Sequence, residues 1–493
     1  MDRRRITRGA MRIGLLLAGM ALILAAMPLA MAPSSAAGQQ PAAAPPPMGE
    51  LAYDFPPMGR VAVLRPRRPP RGVVLLLSDA RGWGQAEQAL SRRLADAGML
   101  VAGISTPAFL QRLNGGKRCI NPNYALIDLA RDLQHRLAVP LYMKPVIVGR
   151  GEGGTLAYAS LASGPDGSYK GVLSIGFSPS LPGSKPWCRS GSLKAKAQTA
   201  AHRRRWVFAP AGPLPSPWIV IRAASPRSMP EKALRHFVDR AGQARLIEAG
   251  DQGGTGADML ALAQLTPFLT PLPEAETPPH GHAPLPTGLP VTLVTDAAAP
   301  KTDLMAVLYS GDGGWVGLDK AVAGQLARAG VPVVGMDSLS YFWSQRTPQG
   351  AAADLSAIIR GYSDRWQRPR VLLVGYSFGA DVLPHIVAHL PAADQARVEK
   401  MALLGLSASA DFQFHLASWL NLPSGDSYPT VPAIAQLRGL PMLCVKGQAE
   451  TDSACPAIPR GLAQVATVPG GHHFNRNAPL LARFILSGLA HHD

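Results

Sequence analysis

With 493 residues the chain exceeds the usual size of one domain, and two domains of about 100 to 250 residues each are expected. The spacing of its four cysteines gives no metal-site pattern, and no metal or other cofactor is expected. The balance of 49 Lys and Arg against 32 Asp and Glu gives a net charge of +17, a strongly basic chain whose possible partners depend on where it resides.

The N-terminus answers that question. Arg3, Arg4, Arg5, Arg8 and Arg12 form a basic region, Ile13 to Met27 an apolar core of 15 residues, and Ser35-Ala36-Ala37 a small-residue cleavage site. Residues 1–37 therefore read as an export signal, and the mature protein as periplasmic. The core is shorter than the roughly 20 apolar residues of a spanning helix, although an uncleaved anchor is the alternative. Residues 1–37 hold five arginines and Asp2, so their removal takes away +4 and leaves +13. Exported proteins seldom meet nucleic acid, so an anionic membrane surface is the expected partner of this charge and a nucleic-acid role is not. A Pro/Ala-rich spacer follows over residues 38–50.

Residues 51–270 alternate short apolar runs with helix-like stretches, such as Val73 to Leu77 followed by Ala86 to Ala97, which predicts a parallel sheet and the α/β class. The run Val148-Gly149-Arg150-Gly151-Glu152-Gly153-Gly154 has the outline of a strand-to-helix elbow but carries glycine at its apex. The late turn Ala249 to Gly254 has no histidine. This half reads as a degenerate copy of the second one, used for binding, packing or substrate orientation. Its segment Lys185 to Arg205 holds seven Lys or Arg and no acidic residue, with Trp187 inside it and Trp206 directly after it. That composition suits contact with an anionic bilayer, or a solvated loop. Cys119 and Cys188 are expected to pair, as are Cys444 and Cys455 in the other half.

Pro271 to Pro290 carries seven prolines and predicts a stiff linker over residues 271–290. Residues 291–493 then repeat the pattern with chemistry added. Met305 to Tyr309 is a buried strand leading into Ser310-Gly311-Asp312-Gly313-Gly314-Trp315, a glycine-rich loop that parallels Ser78 to Trp83. Its amides at Asp312 and Gly313, with that of Phe378, are the expected oxyanion donors. Val371 to Val374 precedes Gly375-Tyr376-Ser377-Phe378-Gly379, the strand, sharp turn and helix context that exposes a serine nucleophile. Pro441 to Val445 precedes Asp452, the first candidate for the triad acid, with Glu450 as alternative. Val465 to Val468 precedes the adjacent pair His472 and His473. His473 is the preferred base, because hydrolase turns often place it four residues after a proline, and His472 is the alternative. The order serine, carboxylate, histidine is that of an α/β-hydrolase.

The stretches Ser310 to Trp315, Val333 to Leu339 with Tyr341-Phe342-Trp343, Gly375 to Pro384 and Gly470 to Phe474 together resemble the bacterial virulence family AcvB and VirJ, and the extra N-terminal half resembles the AcvB form. The resemblance implies two tandem α/β-hydrolase-like domains, the first degenerate. It further implies a periplasmic serine hydrolase that removes the aminoacyl group from lysyl-phosphatidylglycerol, with a part in virulence in some members. A lysyl group would call for carboxylates near the elbow, for which Asp312 and Asp381 are the candidates and Asp337 and Asp411 lie further off. A non-enzymatic periplasmic adaptor and a general esterase on soluble substrates are the alternatives.

Overall fold

The computed structural model describes residues 50–116, 119–200, 203–223, 229–249, 253–269, 286–414 and 427–489. The export segment, nearly all of the spacer and most of the proline-rich linker lie outside the described residues.

The first half builds strands β1 (Glu50–Phe55), β2 (Gly59–Leu64), β3 (Gly72–Leu77), β4 (Met99–Ile104), β5 (Val146–Arg150), β6 (Gly171–Ile175), β7 (Ser180–Pro182), β8 (Ala195–Ala200), β9 (Arg203–Phe208), β10 (Trp218–Arg222) and β11 (Ala244–Glu248). The second builds β12 (Val291–Val294), β13 (Leu304–Tyr309), β14 (Val333–Met336), β15 (Arg370–Tyr376), β16 (Val398–Leu404), β17 (Ser409–Ala410), β18 (Tyr428–Pro429), β19 (Met442–Gly447) and β20 (Gln464–Val468).

Two large sheets result. One runs in the order β1-β2-β4-β3-β5-β6-β10-β11, the other β12-β14-β13-β15-β16-β19-β20. Setting aside the hairpin strand β1, the two orders superimpose strand for strand. In both, the strand that opens the shared order pairs antiparallel with its neighbour, β2 with β4 and β12 with β14, and the remaining pairs are parallel. The chain is thus an α/β protein made of two like halves, as the repeated sequence pattern implies.

Inner strands such as β3 and β13 are apolar along nearly their whole length because a parallel sheet is covered on both faces. Leu304 to Tyr309 are buried at every position. In the second half one face packs Met305, Val307, Tyr309 and Leu373 under helix Pro348–Trp366, while Ala306, Leu308, Leu372 and Val374 face helices Gly317–Arg328 and Ala478–Leu486. The first half repeats this with two apolar layers of its own.

One packing detail is common to both. A Cβ on Gly103 of β4 would lie 2.0 Å from the Trp83 ring, and one on Gly335 of β14 would lie 2.1 Å from the Trp315 ring. The indole at the end of each glycine-rich loop therefore rests on a bare strand. Ser78 Oγ likewise accepts from Thr106 N at 2.9 Å, and Ser310 Oγ from Ser338 N at 2.9 Å.

Both expected disulfides form, Cys119–Cys188 and Cys444–Cys455. Strands β7, β9 and β8 make a small antiparallel sheet that carries the basic segment. Its tryptophans do not face outward, contrary to the expectation of a tryptophan-bearing membrane contact. Trp187 and Trp206 are buried in the core of the first half, where aromatic area is better sheltered from water, while Arg189, Lys194, Lys196 and Arg204 are exposed. Arg204 lies over the Trp206 ring, and Arg205 is turned back to Ser180 and Glu152. Among the described residues no helix is long and apolar enough to cross a membrane.

Candidate active site

At the end of β15 the chain turns sharply into helix Phe378–Ala388, and Ser377 sits at the apex with φ 53° and ψ −121°. That backbone is strained for a residue with a Cβ, and its persistence requires the surroundings to enforce it. The neighbours supply the room. A Cβ on Gly375 would lie 2.5 Å from Gly379 O, and one on Gly379 would lie 2.3 Å from Tyr309 O. Ser377 N donates to Leu404 O at 2.8 Å, which ties the apex to β16. The hydroxyl is thereby held above the C-terminal edge of the sheet, where open α/β sheets place their ligands.

The imidazole that meets it belongs to His472. Nε2 lies 2.8 Å from Ser377 Oγ, and Nδ1 lies 2.6 Å from Glu450 Oε1. Glu450 is buried, and its second oxygen accepts from Gly447 N at 3.0 Å, so the carboxylate is fixed at both ends. With Glu450 ionised the proton rests on Nδ1 and the Nε2 lone pair faces the serine, the tautomer a general base needs. Gly405 makes the arrangement possible, since a Cβ there would lie 2.8 Å from His472 Cε1. The loop with Glu450 is anchored by the Cys444–Cys455 bridge, by Ala449 N to Gly470 O at 2.9 Å and by Ala454 N to Leu406 O at 2.8 Å.

Two first choices from the sequence are therefore corrected in favour of their alternatives. Asp452 is exposed and does not reach the imidazole, because the tight turn from Gly447 to Glu450, closed at 3.1 Å, aims Glu450 inward and leaves the chain two residues later on the surface. His473 points away from the serine. The turn closed by Phe474 N to Gly471 O at 2.8 Å sends the two adjacent rings in different directions. His473 Nδ1 meets the Tyr376 hydroxyl at 2.7 Å instead. Burial, then the neighbouring His472 and Arg476, hold its pKa below the ordinary histidine value, while burial raises that of Tyr376.

The glycine-rich loop passes beside the nucleophile. A Cβ on Gly311 would stand 3.4 Å from Ser377 Cβ. Gly314 N donates to Gly311 O at 3.0 Å, so Asp312 and Gly313 form the exposed tip of a turn. Gly311 N is directed at Asp319 Oδ1, at 3.4 Å, and Gly314 N at Gly311 O, so the expected donors Asp312 and Gly313 are the two amides at the tip of the loop. Phe378 begins its helix, so its amide has no intrahelical acceptor. Neither Asp319 nor Tyr376 nor Gly405 was singled out from sequence. A carboxylate in the first helical turn after the loop was the one available signal, for Asp319.

Asp381 is also corrected. It is buried on the inner side of the elbow helix, and its Oδ1 accepts from Ser407 N at 2.7 Å, an anchor for the loop after β16 rather than a group open to substrate. Burial, reinforced by Asp411 and Asp312, lifts its pKa to about 8. Asp312, by contrast, is exposed at the mouth.

An α/β-hydrolase-type sheet whose nucleophile elbow carries a Ser–His–Glu chain is the class that the second half defines. Residues 303–493 match the family described as bacterial virulence protein (VirJ), so the resemblance holds for the second half, and the first half lies outside the match. Among solved structures, the chain is similar to Est1E from Butyrivibrio proteoclasticus, at 14% identity over 40% of this chain and 90% of that one, with a TM-score of 0.30. It is also similar to a dienelactone hydrolase from Anabaena variabilis, at 15% identity over 45% and 99% of the two chains, with a TM-score of 0.31. No curated protein matches the chain.

Proposed function

We propose that the protein is a serine ester hydrolase that releases the aminoacyl group of an aminoacylated phospholipid, lysyl-phosphatidylglycerol in the first instance, at the outer face of an anionic membrane in the periplasm. The hydrogen-bonded chain Ser377–His472–Glu450 is the observation that carries this reading. A non-enzymatic adaptor has no use for a serine, an imidazole and a buried carboxylate in register.

In the proposed reaction His472 Nε2 takes the Ser377 proton as Oγ bonds to the acyl carbon. The negative charge that develops on the carbonyl oxygen is met by the Phe378 and Asp312 amides. His472 then gives the proton to the leaving glycerol oxygen as the ester C–O bond breaks, and water, activated by the same imidazole, cleaves the acyl-enzyme. The exposed carboxylate of Asp312 supports acceptance of a cationic acyl group at the mouth. The basic sheet β7-β9-β8 and the export signal support the membrane setting. The test is incubation of the purified protein with vesicles containing lysyl-phosphatidylglycerol. Release of free lysine by the parent and none by Ser377→Ala is expected, and no release by the parent removes the lipid substrate.

A further inference from the structure

The two halves belong to one compact unit, Pro47–Asp493, and the first half touches the second. The loop before β5 packs onto the segment that follows β14. Ser340 Oγ donates to Tyr142 O at 3.1 Å, and Ser344 Oγ to Pro140 O at 2.9 Å. Tyr142 joins Leu339, Trp343 and Phe414 in a small core of its own, and Arg131 lies over the Phe414 ring.

At the edge of this core stands an ion pair, Lys144 Nζ with Asp337 Oδ2 at 3.6 Å, with both side chains largely buried, 18% and 15% exposed. Asp337 has two further contacts. Its Oδ1 accepts from Ser340 N at 3.0 Å as the cap of helix Ser338–Tyr341, and the same oxygen would lie 2.7 Å from a Cβ on Gly314. Gly314 is at φ 76°, so glycine is favoured there both for its backbone and for the space the carboxylate occupies. The carboxylate thus packs against the turn whose tip is Asp312 and Gly313. A second contact reaches the same neighbourhood, where a Cβ on Gly167 would lie 1.8 Å from Val316 Cγ1 and Arg476 Nη1 is 3.4 Å from Asp166 Oδ2.

We infer that the first half, which has no nucleophile, serves the second through Lys144, a positioning residue that holds Asp337 against the glycine-rich loop and so fixes where the Asp312 amide points. A largely buried carboxylate that loses its cation has reason to turn toward water, and the loop it supports then loses one wall. The inference rests on the hydrolase reading for its kinetic consequence but not for its structural one.

The experiment uses the full chain, parent and variants, with p-nitrophenyl butyrate as probe and with amide hydrogen exchange of the peptide covering residues 310–316. For Lys144→Met, kcat is expected to fall about tenfold, less than the 10²–10³ typical of deleting an oxyanion donor, with KM within about twofold. Exchange in residues 310–316 is expected to quicken, and Lys144→Arg to restore most of both. Unchanged kcat and unchanged exchange in Lys144→Met overturn the inference. So does a loss of activity that merely follows a lowered melting temperature and that Lys144→Arg does not restore. If the parent turns over no ester the hydrolase reading fails, and the exchange comparison still decides this one.

Discussion

Gly151 and Ser377 have nearly the same backbone conformation, φ 50° and ψ −116° against φ 53° and ψ −121°. Their amides even make the same bond, Gly151 N to Ile175 O and Ser377 N to Leu404 O, each at 2.8 Å. The elbow of the first half is thus intact in shape and lacks its hydroxyl. A Cβ on Gly151 would lie 2.1 Å from Asp79 Oδ1, and Asp79 stands where the other half has Gly311. The nucleophile and its clearance have been exchanged for a carboxylate and a glycine.

Ser377→Ala is accordingly expected to abolish ester turnover, a loss of about 10⁶ in kcat, with no residual activity from the first half. Adding Gly151→Ser to that variant is expected to restore nothing, since Asp79 fills the space and the late turn has no histidine. Measurable turnover by the double variant on p-nitrophenyl butyrate would show that the first elbow is a latent site.

The two histidines separate cleanly. His472→Ala is expected to reduce kcat by about as much as loss of the serine, and Glu450→Gln by about 10⁴, because the imidazole loses its anchor and preferred tautomer. His473→Ala and Asp452→Ala are expected to stay within a few-fold of the parent. Steady-state kinetics of the four variants on one ester decide the assignment, and a dead His473→Ala with an active His472→Ala would reverse it.

Stability should fall as pH rises through neutrality. Burial lifts both Asp319 and Asp381 from 3.8 to about 8, so in the folded protein they retain protons that the unfolded chain has already released. Between those values the folded state binds more protons than the unfolded one. Each group then lowers unfolding free energy by up to about 1.4 kcal/mol per pH unit, an effect complete once pH passes the folded value. Urea midpoints measured from pH 5 to 9 are expected to decline for the parent and to flatten for Asp319→Asn with Asp381→Asn. A parent curve flat over that range would show that these carboxyls are ionised when folded.

The bridge Cys444–Cys455 closes a short loop around Glu450, and such a loop is worth about 2–3 kcal/mol. Cys444→Ala with Cys455→Ala is expected to lower the urea midpoint and to reduce kcat more than KM rises, since the carboxylate loses its brace. Equal midpoints for variant and parent would remove the bracing role.

Much of this was legible in the sequence for identifiable reasons. Inner parallel strands such as Leu304–Tyr309 are apolar at every position, and an elbow needs glycines two residues either side of its serine, so fold and nucleophile announce themselves. The acid and base do not. Glu450 and Asp452, or His472 and His473, lie in irregular loops where one turn decides which side chain faces inward, and no periodicity encodes that. Asp381 misled because proximity in sequence to Ser377 places it on the buried side of a helix. The contact of Lys144 with Asp337 joins positions far apart in the chain and has no local signature.

The tryptophan lying on a bare strand, Trp83 over Gly103 and Trp315 over Gly335, gives the chain an internal control. A feature kept by the half without a nucleophile is a requirement of the architecture, so the loop's closing Gly-Trp and its opening serine carry no information about chemistry. The letters that do are Gly311 and Ser377 against Asp79 and Gly151. In any other chain of this build, a glycine-rich loop ending in tryptophan would identify the fold, and the pair of residues at those two positions would tell an active half from a silent one.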